Sequence, residues 1–254
     1  MENKQLSPTL FPEYDKDIKS NSKKMRNKRN WQIKKSRNFG LEYCRNAQYI
    51  GKYGIPLIRK YTDSLPKRFI TLKEATTLGS PTTGVVGFAY DEELEDYLYR
   101  PERHLPKLLN YQCIGELDFS MRVLDPFAVV VANMFRSHSA AFYYQEHGCK
   151  ILPSPKWSTS QSFEVCFDGY ERGGAVIVST IGVLRDERSK LYFKNGFQEM
   201  LKRLAPDAVV VYGTAHDWIK ELMPAQLDVH YFEHERFNCM REFNKQVQIY
   251  RIFS

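Results

Sequence analysis

The chain has 254 residues, 43% of them hydrophobic and 26% charged, which is the composition of an ordinary globular protein with one large domain or two small ones. No segment approaches the roughly 18 consecutive apolar residues of a membrane span, and the first residues lack the apolar core of a signal peptide. Five widely spaced cysteines without a Cys-x-x-Cys pair argue against a disulfide framework and a zinc ribbon, so we expect a cytoplasmic protein.

The excess positive charge lies in a basic N-terminal arm, residues 1–38. The net charge of the chain is +7, and ten lysines or arginines with one aspartate lie between residues 16 and 38. Because the arm has few apolar positions, we expect it to be largely disordered and to precede a single domain at 39–254. Cations displace counterions from phosphates and an aromatic ring stacks on bases, which predicts nucleic-acid binding; a solvated tail and a contact with an anionic membrane are the alternatives. The nucleic-acid-binding candidates are Lys23, Lys24, Arg26, Lys28, Arg29, Trp31, Lys34, Lys35 and Arg37.

Beyond an apolar entry segment at 43–58, apolar runs alternate with amphipathic segments, and the best-defined core spans 85–232. Apolar or β-branched runs predict strands at 85–90, 114–119, 150–152, 175–180, 208–212 and 227–232. Helices are predicted after Asp91 as N-cap, from Asp125-Pro126 to about His147, and at 189–204, 215–222 and 235–247. Strands that alternate with helices form right-handed βαβ units. We therefore predict an α/β fold with a mostly parallel sheet, either doubly wound or a partial or distorted barrel.

Polar residues follow most of these predicted strands. Ligands of parallel α/β folds bind beyond the carboxyl ends of the strands, although any edge that carries loops is also polar. The ligand-site candidates are Asp118, Ser120, Lys156, Trp157, Ser179, Thr180, Tyr212 and Thr214. Asp118 is the best candidate for an acid or base, because apolar neighbours favour partial burial and a raised pKa. The structural alternatives are that Asp118 caps a turn through Ser120 and that Trp157 is a lid on the core.

Several familiar catalytic and binding motifs are missing from the sequence. The strand after Gly174 is not followed by a glycine-rich phosphate loop, and Gly-x-Ser-x-Gly does not occur. His230 and His234 would lie roughly 13 Å apart on a strand, too far for one metal ion. We therefore predict no metal and no cofactor, and assign no catalytic residues.

The stretch from Asp118 to Val183 carries a recognisable set of short motifs. They are Asp118-Phe119-Ser120, Asn133-Met134-Phe135-Arg136, the run from Tyr143 to Gly148, Pro153 with Trp157, Ser162-Phe163, Phe167-Asp168-Gly169 and the run from Val178 to Gly182. This set resembles a functionally uncharacterised domain family of bacteriophages and integrative or conjugative elements, over about 100 residues through Tyr212-Gly213. The resemblance implies a mobile-element origin, an α/β domain and the cytoplasm of a bacterial host. It implies no established activity, and it favours the nucleic-acid interpretation by association alone.

Three functional hypotheses follow from the sequence. The first is an accessory protein of a phage or mobile element that associates with nucleic acid through its arm. The second is a binding protein or enzyme that uses the strand-end residues on a small molecule or nucleotide. The third is a factor that engages a host protein, with part of the 14% aromatic residues exposed. None of the three requires a membrane, and the oligomeric state is left open.

Overall fold

The structure is a computed structural model that describes residues 38–181 and 186–233. The nucleic-acid-binding candidates of the arm, from Lys23 to Arg37, lie outside the described residues. So do the helix predicted at 235–247, the second histidine of the His230/His234 pair, and Cys239.

The described residues contain nine strands and five α-helices. The strands are β1 (Tyr49–Ile50), β2 (Ile55–Pro56), β3 (Arg68–Thr71), β4 (Ser80–Val86), β5 (Tyr111–Gly115), β6 (Ile151–Leu152), β7 (Ala175–Ser179), β8 (Ala208–Tyr212) and β9 (Asp228–Phe232). The helices are α1 (Asp91–Tyr99), α2 (Pro101–Leu108), α3 (Phe127–Glu146), α4 (Glu187–Leu204) and α5 (Asp217–Lys220). Two short 3-10 helices span Leu41–Tyr43 and Ser160–Glu164.

Local sequence signals explain where the two long helices begin and end. Asp186 caps α4, because its Oδ1 accepts a hydrogen bond of 2.7 Å from the backbone N–H of Ser189. Gly148 follows α3 with a φ of +91°, the left-handed conformation that ends many helices. The predicted N-caps at Asp91 and Asp125 are each wrong by one position. Asp91 is the first residue of α1, and Pro126 takes the N-cap position of α3.

All the strand pairs from β3 to β9 are parallel, and their order in space follows their order in the sequence. One sheet has the order β3-β4-β5-β6 and a second has the order β7-β8-β9. The backbone N–H of Ile177 on β7 donates a hydrogen bond of 2.8 Å to the carbonyl oxygen of Pro153, just after β6. The two sheets are therefore neighbours, and the seven strands form one continuous series.

Side chains on these strands alternate between two apolar layers. One layer takes a side chain from each of the seven strands: Phe69, Val86, Cys113, Leu152, Ile177, Val210 and Phe232. Their sequence neighbours, such as Ile70, Val85 and Val209, pack instead with residues of α1 to α4. The rings of Phe69 on β3 and Phe232 on β9 lie 4.9 Å apart in edge-to-face contact. The first and last strands of the series thus meet through their side chains.

This arrangement is a partial parallel barrel of seven strands whose interior is filled by side chains, and within the described residues no backbone pairing joins β9 to β3. A doubly wound sheet reverses its strand order at one point, and the order of β3 to β9 has no reversal. Right-handed connections in one direction put all helices on one face, so the sheet must curl to bury the other face. The predicted α/β fold with a mostly parallel sheet is confirmed, and of its two forms the structure has the barrel.

Two predicted strands are displaced towards the C-terminus of their true positions. The strands predicted at 85–90 and 114–119 are β4 and β5, which end at Val86 and Gly115. The apolar pattern continues into the following loops because Leu117 and Phe119 are buried although they lie beyond the strand. The strand β3 and the helix α2, which begins with Pro101, were not predicted.

The four described cysteines, Cys44, Cys113, Cys149 and Cys166, are buried free thiols. Burial raises the pKa of Cys113, Cys149 and Cys166 to about 12, so these thiols stay protonated and unreactive at neutral pH. Among the residues that the structure describes, no helix combines the length and the apolar character needed to cross a membrane.

Candidate functional site

A cleft of about 1130 Å³ opens where the carboxyl ends of β3 to β7 meet. We call it the strand-end cleft. The structure brings five of the eight ligand-site candidates together in its lining: Asp118, Ser120, Lys156, Trp157 and Ser179. They come from three different strand ends, which the rule for parallel α/β folds places at one edge of the barrel.

A carboxylate and an ammonium group form the polar centre of the cleft. Lys156 Nζ lies 3.5 Å from Asp118 Oδ1, and the two side chains are 10% and 30% exposed. Lys156 also donates to Ser137 Oγ at 2.5 Å and to the carbonyl oxygen of Leu117 at 3.3 Å. Two hydrogen bonds and one ion pair therefore hold the Lys156 ammonium group in one position.

The environment of Asp118 changes its acidity. Burial raises the pKa of Asp118 above its ordinary value, the charge of Lys156 opposes this, and Glu116 adds to it. A carboxyl group with a raised pKa beside a fixed cation can take up and return a proton, while the cation stabilises negative charge that develops nearby. The pair therefore has the chemistry of an acid–base site.

The loop that carries Asp118 is fixed from two sides. The backbone N–H and the hydroxyl of Ser120 donate to Asp91 Oδ1 at 2.9 and 3.0 Å. Asn133 Nδ2 on α3 donates to the carbonyl oxygen of Ser120 at 2.7 Å, and Asn133 Oδ1 accepts from Arg136 at 3.1 Å. The sequence had offered the alternative that Asp118 caps a turn through Ser120, but the carboxylate that binds Ser120 is that of Asp91. The Asp118 carboxylate is therefore left to face Lys156 and the cleft.

Beneath the cleft lies a buried polar cluster of Glu116, His138 and Tyr170. Glu116 Oε2 accepts hydrogen bonds from the backbone N–H of Ser154 at 3.0 Å and from Tyr170 Oη at 2.9 Å. His138 Nδ1 lies 2.8 Å from the carbonyl oxygen of Pro56, so Nδ1 carries the hydrogen. His138 Nε2 faces Glu116 Oε1 at 3.5 Å, and neither atom has a hydrogen bond within the described ranges. Burial lowers the pKa of His138, and burial raises that of Tyr170 well above its ordinary value.

Aromatic rings stand on two sides of the Asp118–Lys156 pair. Phe88 and Tyr90 follow β4 on one side, and Trp157, Tyr192 and Phe193 belong to the β6 loop and α4 on the other. The Trp157 ring packs against Phe193 at 5.5 Å between centroids, and its indole occupies the space that a side chain at Gly196 would fill. Trp157 therefore lines the cleft and also covers the core, whereas Tyr90 is 78% exposed.

The remaining ligand-site candidates, Thr180, Tyr212 and Thr214, do not line the cleft. Thr180 is buried, and its hydroxyl donates to the carbonyl oxygen of Thr214 at 3.1 Å. Tyr212 is buried in the barrel interior, where its ring stacks on Phe88 at 5.6 Å. Hydrogen bonds among these three residues join the ends of β7 and β8.

No group of three or more His, Cys, Asp or Glu side chains within the described part of the chain is placed to hold a metal ion. His230, the described member of the predicted histidine pair, lies 3.0 Å from Asp228 Oδ2 on the same strand.

Sequence reasoning missed the buried polar cluster and the exposed rings of the cleft. One signal for Glu116 was present: Glu116 and Asp118 alternate with Leu117 and Phe119, so the reasoning that selected Asp118 applied equally to Glu116. A second signal was His138, a titratable residue within an almost uncharged helix. Their proximity depends on the packing of α3 against β2 and β6, which no local pattern encodes.

The chain is similar in part to proteins of two mycobacteriophages. The Gene 1 protein of Mycobacterium phage D29 is 34% identical over 137 residues, which are 51% of this chain and 50% of the relative. The Gene 1 protein of Mycobacterium phage L5 is 30% identical over 125 residues, 47% of this chain and 55% of the relative. The chain thus spans about half the length of the curated relatives it matches. No solved structure matches the chain.

A family model described as "Domain of unknown function (DUF4417)" matches residues 47–231, from β1 into β9. The match covers well over half of the chain and confirms the predicted resemblance. It also extends that resemblance, which had begun at Asp118, to the first strands of the domain. The chain therefore belongs to the DUF4417 family.

Proposed function

We propose that the strand-end cleft binds a small organic ligand, on which Asp118 acts as a general acid or base. Lys156 stabilises the ionised form of Asp118 in this proposal. The observation that carries the proposal is the half-buried ion pair at the centre of a large open cleft. A cleft with a few converging polar groups and a perturbed titratable residue is the usual character of a ligand site.

The cluster below the cleft supports the same proposal. Burying Glu116 and His138 costs free energy unless both are paired. The partner of His138 is the carbonyl oxygen of Pro56, and a partner of Glu116 is the hydroxyl of Tyr170. Stability alone is better served by apolar side chains, so a buried polar layer directly under an open cleft favours a functional role. Through Glu116 and Ser154, the cluster fixes the loop that carries Lys156.

The test is a thermal-denaturation screen of the full chain against a library of small metabolites. We expect at least one compound to raise the melting temperature in a concentration-dependent way, because a ligand that binds only the folded state stabilises it. Asp118→Asn should abolish that rise, and deletion of residues 1–38 should leave it intact. Stabilisation that survives Asp118→Asn would exclude the cleft as the site, and an absence of any stabilising compound would remove the proposal.

We infer a second function, association with nucleic acid through the basic arm. The support is the position of the charge: ten cations and one acid lie between residues 16 and 38, with Trp31 among them. In this proposal the protein is a phage accessory factor whose arm supplies affinity and whose domain supplies the cleft.

This second function predicts a steep dependence of binding on salt. Full-length protein should bind labelled single- and double-stranded DNA or RNA, with the logarithm of affinity falling several units per logarithm of salt concentration. A version without residues 1–38 should lose this binding. Equal binding by both versions would assign the interaction to the domain, and no binding at low salt would exclude the function.

A third candidate, engagement of a host protein, depends on exposed rings. In the described part of the chain the exposed aromatic residues are Phe39, Tyr49, Tyr90 and Tyr231, which lie on separate elements. Most of the other described rings fill the barrel and its helical layer. This distribution favours the first two functions over the third.

A further inference from the structure

We propose that the ligand of the strand-end cleft is a guanine-type base, bound between aromatic side chains with its N–H edge on Asp118. This inference rests on the proposed function of the cleft and names its ligand class. The chemistry is that of a flat heterocycle that presents a ring N–H beside an exocyclic amino group.

The first support is the arrangement of rings around the polar centre. Phe88 and Tyr90 lie on the β4 side of the Asp118–Lys156 pair, and Trp157 and Tyr192 on the α4 side. Protein sites for unstacked bases combine aromatic side chains on the base faces with a few polar groups on its edge. A flat ligand between these two walls would present one edge to Asp118.

The second support is the kind of polar group at that edge. Lys156 donates hydrogen bonds to Ser137 and Leu117 and forms an ion pair with Asp118, so little of its capacity to bind a ligand directly is left. The other member of the pair is the Asp118 carboxylate, which when ionised beside Lys156 has only acceptor sites. Two side-by-side donors suit one carboxylate, and guanine presents such a pair at N1 and its 2-amino group.

The third support is the charge around the cleft, which argues against a phosphate as the main determinant. The lining includes two cations, Lys73 and Lys156, against three acids, Glu74, Glu93 and Asp118. Lys73 Nζ lies 3.1 Å from Glu93 Oε2, so both cations face carboxylates. The base and not its phosphate should therefore dominate recognition. The base can come from a free nucleoside or from an unstacked residue of a single strand.

The experiment compares guanosine with inosine, which lacks only the 2-amino group, by calorimetric titration into the full chain. We expect guanosine to bind about tenfold or more tightly than inosine. Inosine lacks the 2-amino group and therefore loses one hydrogen bond to the charged Asp118 carboxylate. Asp118→Asn should reduce this ratio to near one, whereas the matched exposed variant Asp228→Asn should keep it. Equal binding of the two nucleosides by the unaltered protein would overturn the inference, even if Asp118→Asn failed to fold.

A comparison of two oligonucleotides separates the remaining outcomes. A short single-stranded oligonucleotide with guanine is compared with its inosine counterpart, so the contribution of the arm cancels. Preference for guanine in the oligonucleotide alone assigns the base to a strand, and preference in the nucleoside assigns it to a small ligand. If another library compound stabilises the protein through Asp118 but guanosine does not bind, this inference fails while the proposed function stands.

Discussion

The two ends of the barrel are built differently. At the amino ends of the strands the connections are short and closed by backbone hydrogen bonds, such as Ser80 N–H to Asn110 and Asp207 N–H to Gly174, both at 2.8 Å. At the carboxyl ends the connections after β5 and β6 are long, and they bury polar side chains, among them Glu116 and Ser154.

Charged side chains are exposed at the amino end of the barrel and partly buried at the carboxyl end. The smaller cavity at the amino end, about 280 Å³, is bordered by exposed ion pairs, Lys150–Asp63 at 3.0 Å and Arg59–Glu146 at 2.7 Å. The carboxyl end instead holds Asp118 half-buried, with a pKa raised by burial. The amino end is built for closure, and the carboxyl end retains buried polar groups that a purely structural edge would not need.

The largest effect on stability is expected in the buried polar cluster, and an exposed ion pair at the other end of the barrel is the comparison. Glu116→Ala leaves the Ser154 N–H and the Tyr170 hydroxyl without their acceptor, and should lower the free energy of unfolding by roughly 3–5 kcal/mol. Glu146→Ala, in an exposed pair at the other end, should cost less than about 1 kcal/mol. Urea unfolding measures both. Similar losses for the two variants would contradict the contrast between the ends.

The second prediction concerns closure at the amino end. Gly79 has a φ of +62°, and a Cβ added there would lie 2.5 Å from the backbone oxygen of Asn110. Gly79→Ala should therefore cost roughly 2–4 kcal/mol from backbone strain and overpacking. The control is Gly148→Ala, where φ is +91° but the nearest atom, on Leu109, is 3.6 Å away. This variant carries the strain alone, about 1 kcal/mol, and equal melting temperatures for the two variants would refute the close packing of the turn.

The third prediction is that the free energy of unfolding depends on pH through His138, which lies below the cleft. His138 faces Glu116 and the Tyr170 ring, with Lys156 nearby, and burial lowers its pKa below 6.5. The unfolded chain therefore binds a proton near pH 6.5 that the folded chain resists. Stability contributed by neutral His138 is present above that pH and is lost as the pH falls towards the lowered pKa, at up to about 1.4 kcal/mol per pH unit.

The measurement is the free energy of unfolding of the unaltered protein and of His138→Asn between pH 7.5 and 5. Other titrating groups are common to both proteins, so the difference between the two curves isolates His138. We expect the curve of the variant to be flatter below pH 6.5. Parallel curves would show that His138 has the same pKa in the folded and unfolded chains.

How much of this end was predictable depends on whether a residue's role is local. The strand-end rule selected Asp118, Lys156 and Trp157, because the end of a strand can be recognised from its own residues. It also selected Tyr212, which points into the barrel, and Thr180, whose buried hydroxyl bonds to the carbonyl oxygen of Thr214. The rule gives the edge but not the direction of each side chain, which depends on register and barrel closure.

The buried polar cluster shows the other limit. Its members come from the β5 loop, the middle of α3 and the loop before β7, and they meet only after the barrel has closed. The choice between a barrel and a doubly wound sheet was equally non-local, since both use the same alternation of strands and helices. Strand order, which decides between them, leaves no trace in hydrophobic periodicity.

The smallest expected effect on stability is at the exposed wall of the cleft. Tyr90 is 78% exposed, so Tyr90→Ala should change the free energy of unfolding by less than about 0.5 kcal/mol. Its effect on guanosine binding should be larger, about 1–3 kcal/mol, because the ring supplies one of the stacking faces. Tyr231→Ala, which removes another exposed ring on β9, should leave binding unchanged. Unaltered binding in Tyr90→Ala would show that the carboxyl end holds its ligand without this wall, and would restrict the site to the Asp118–Lys156 pair and the α4 side.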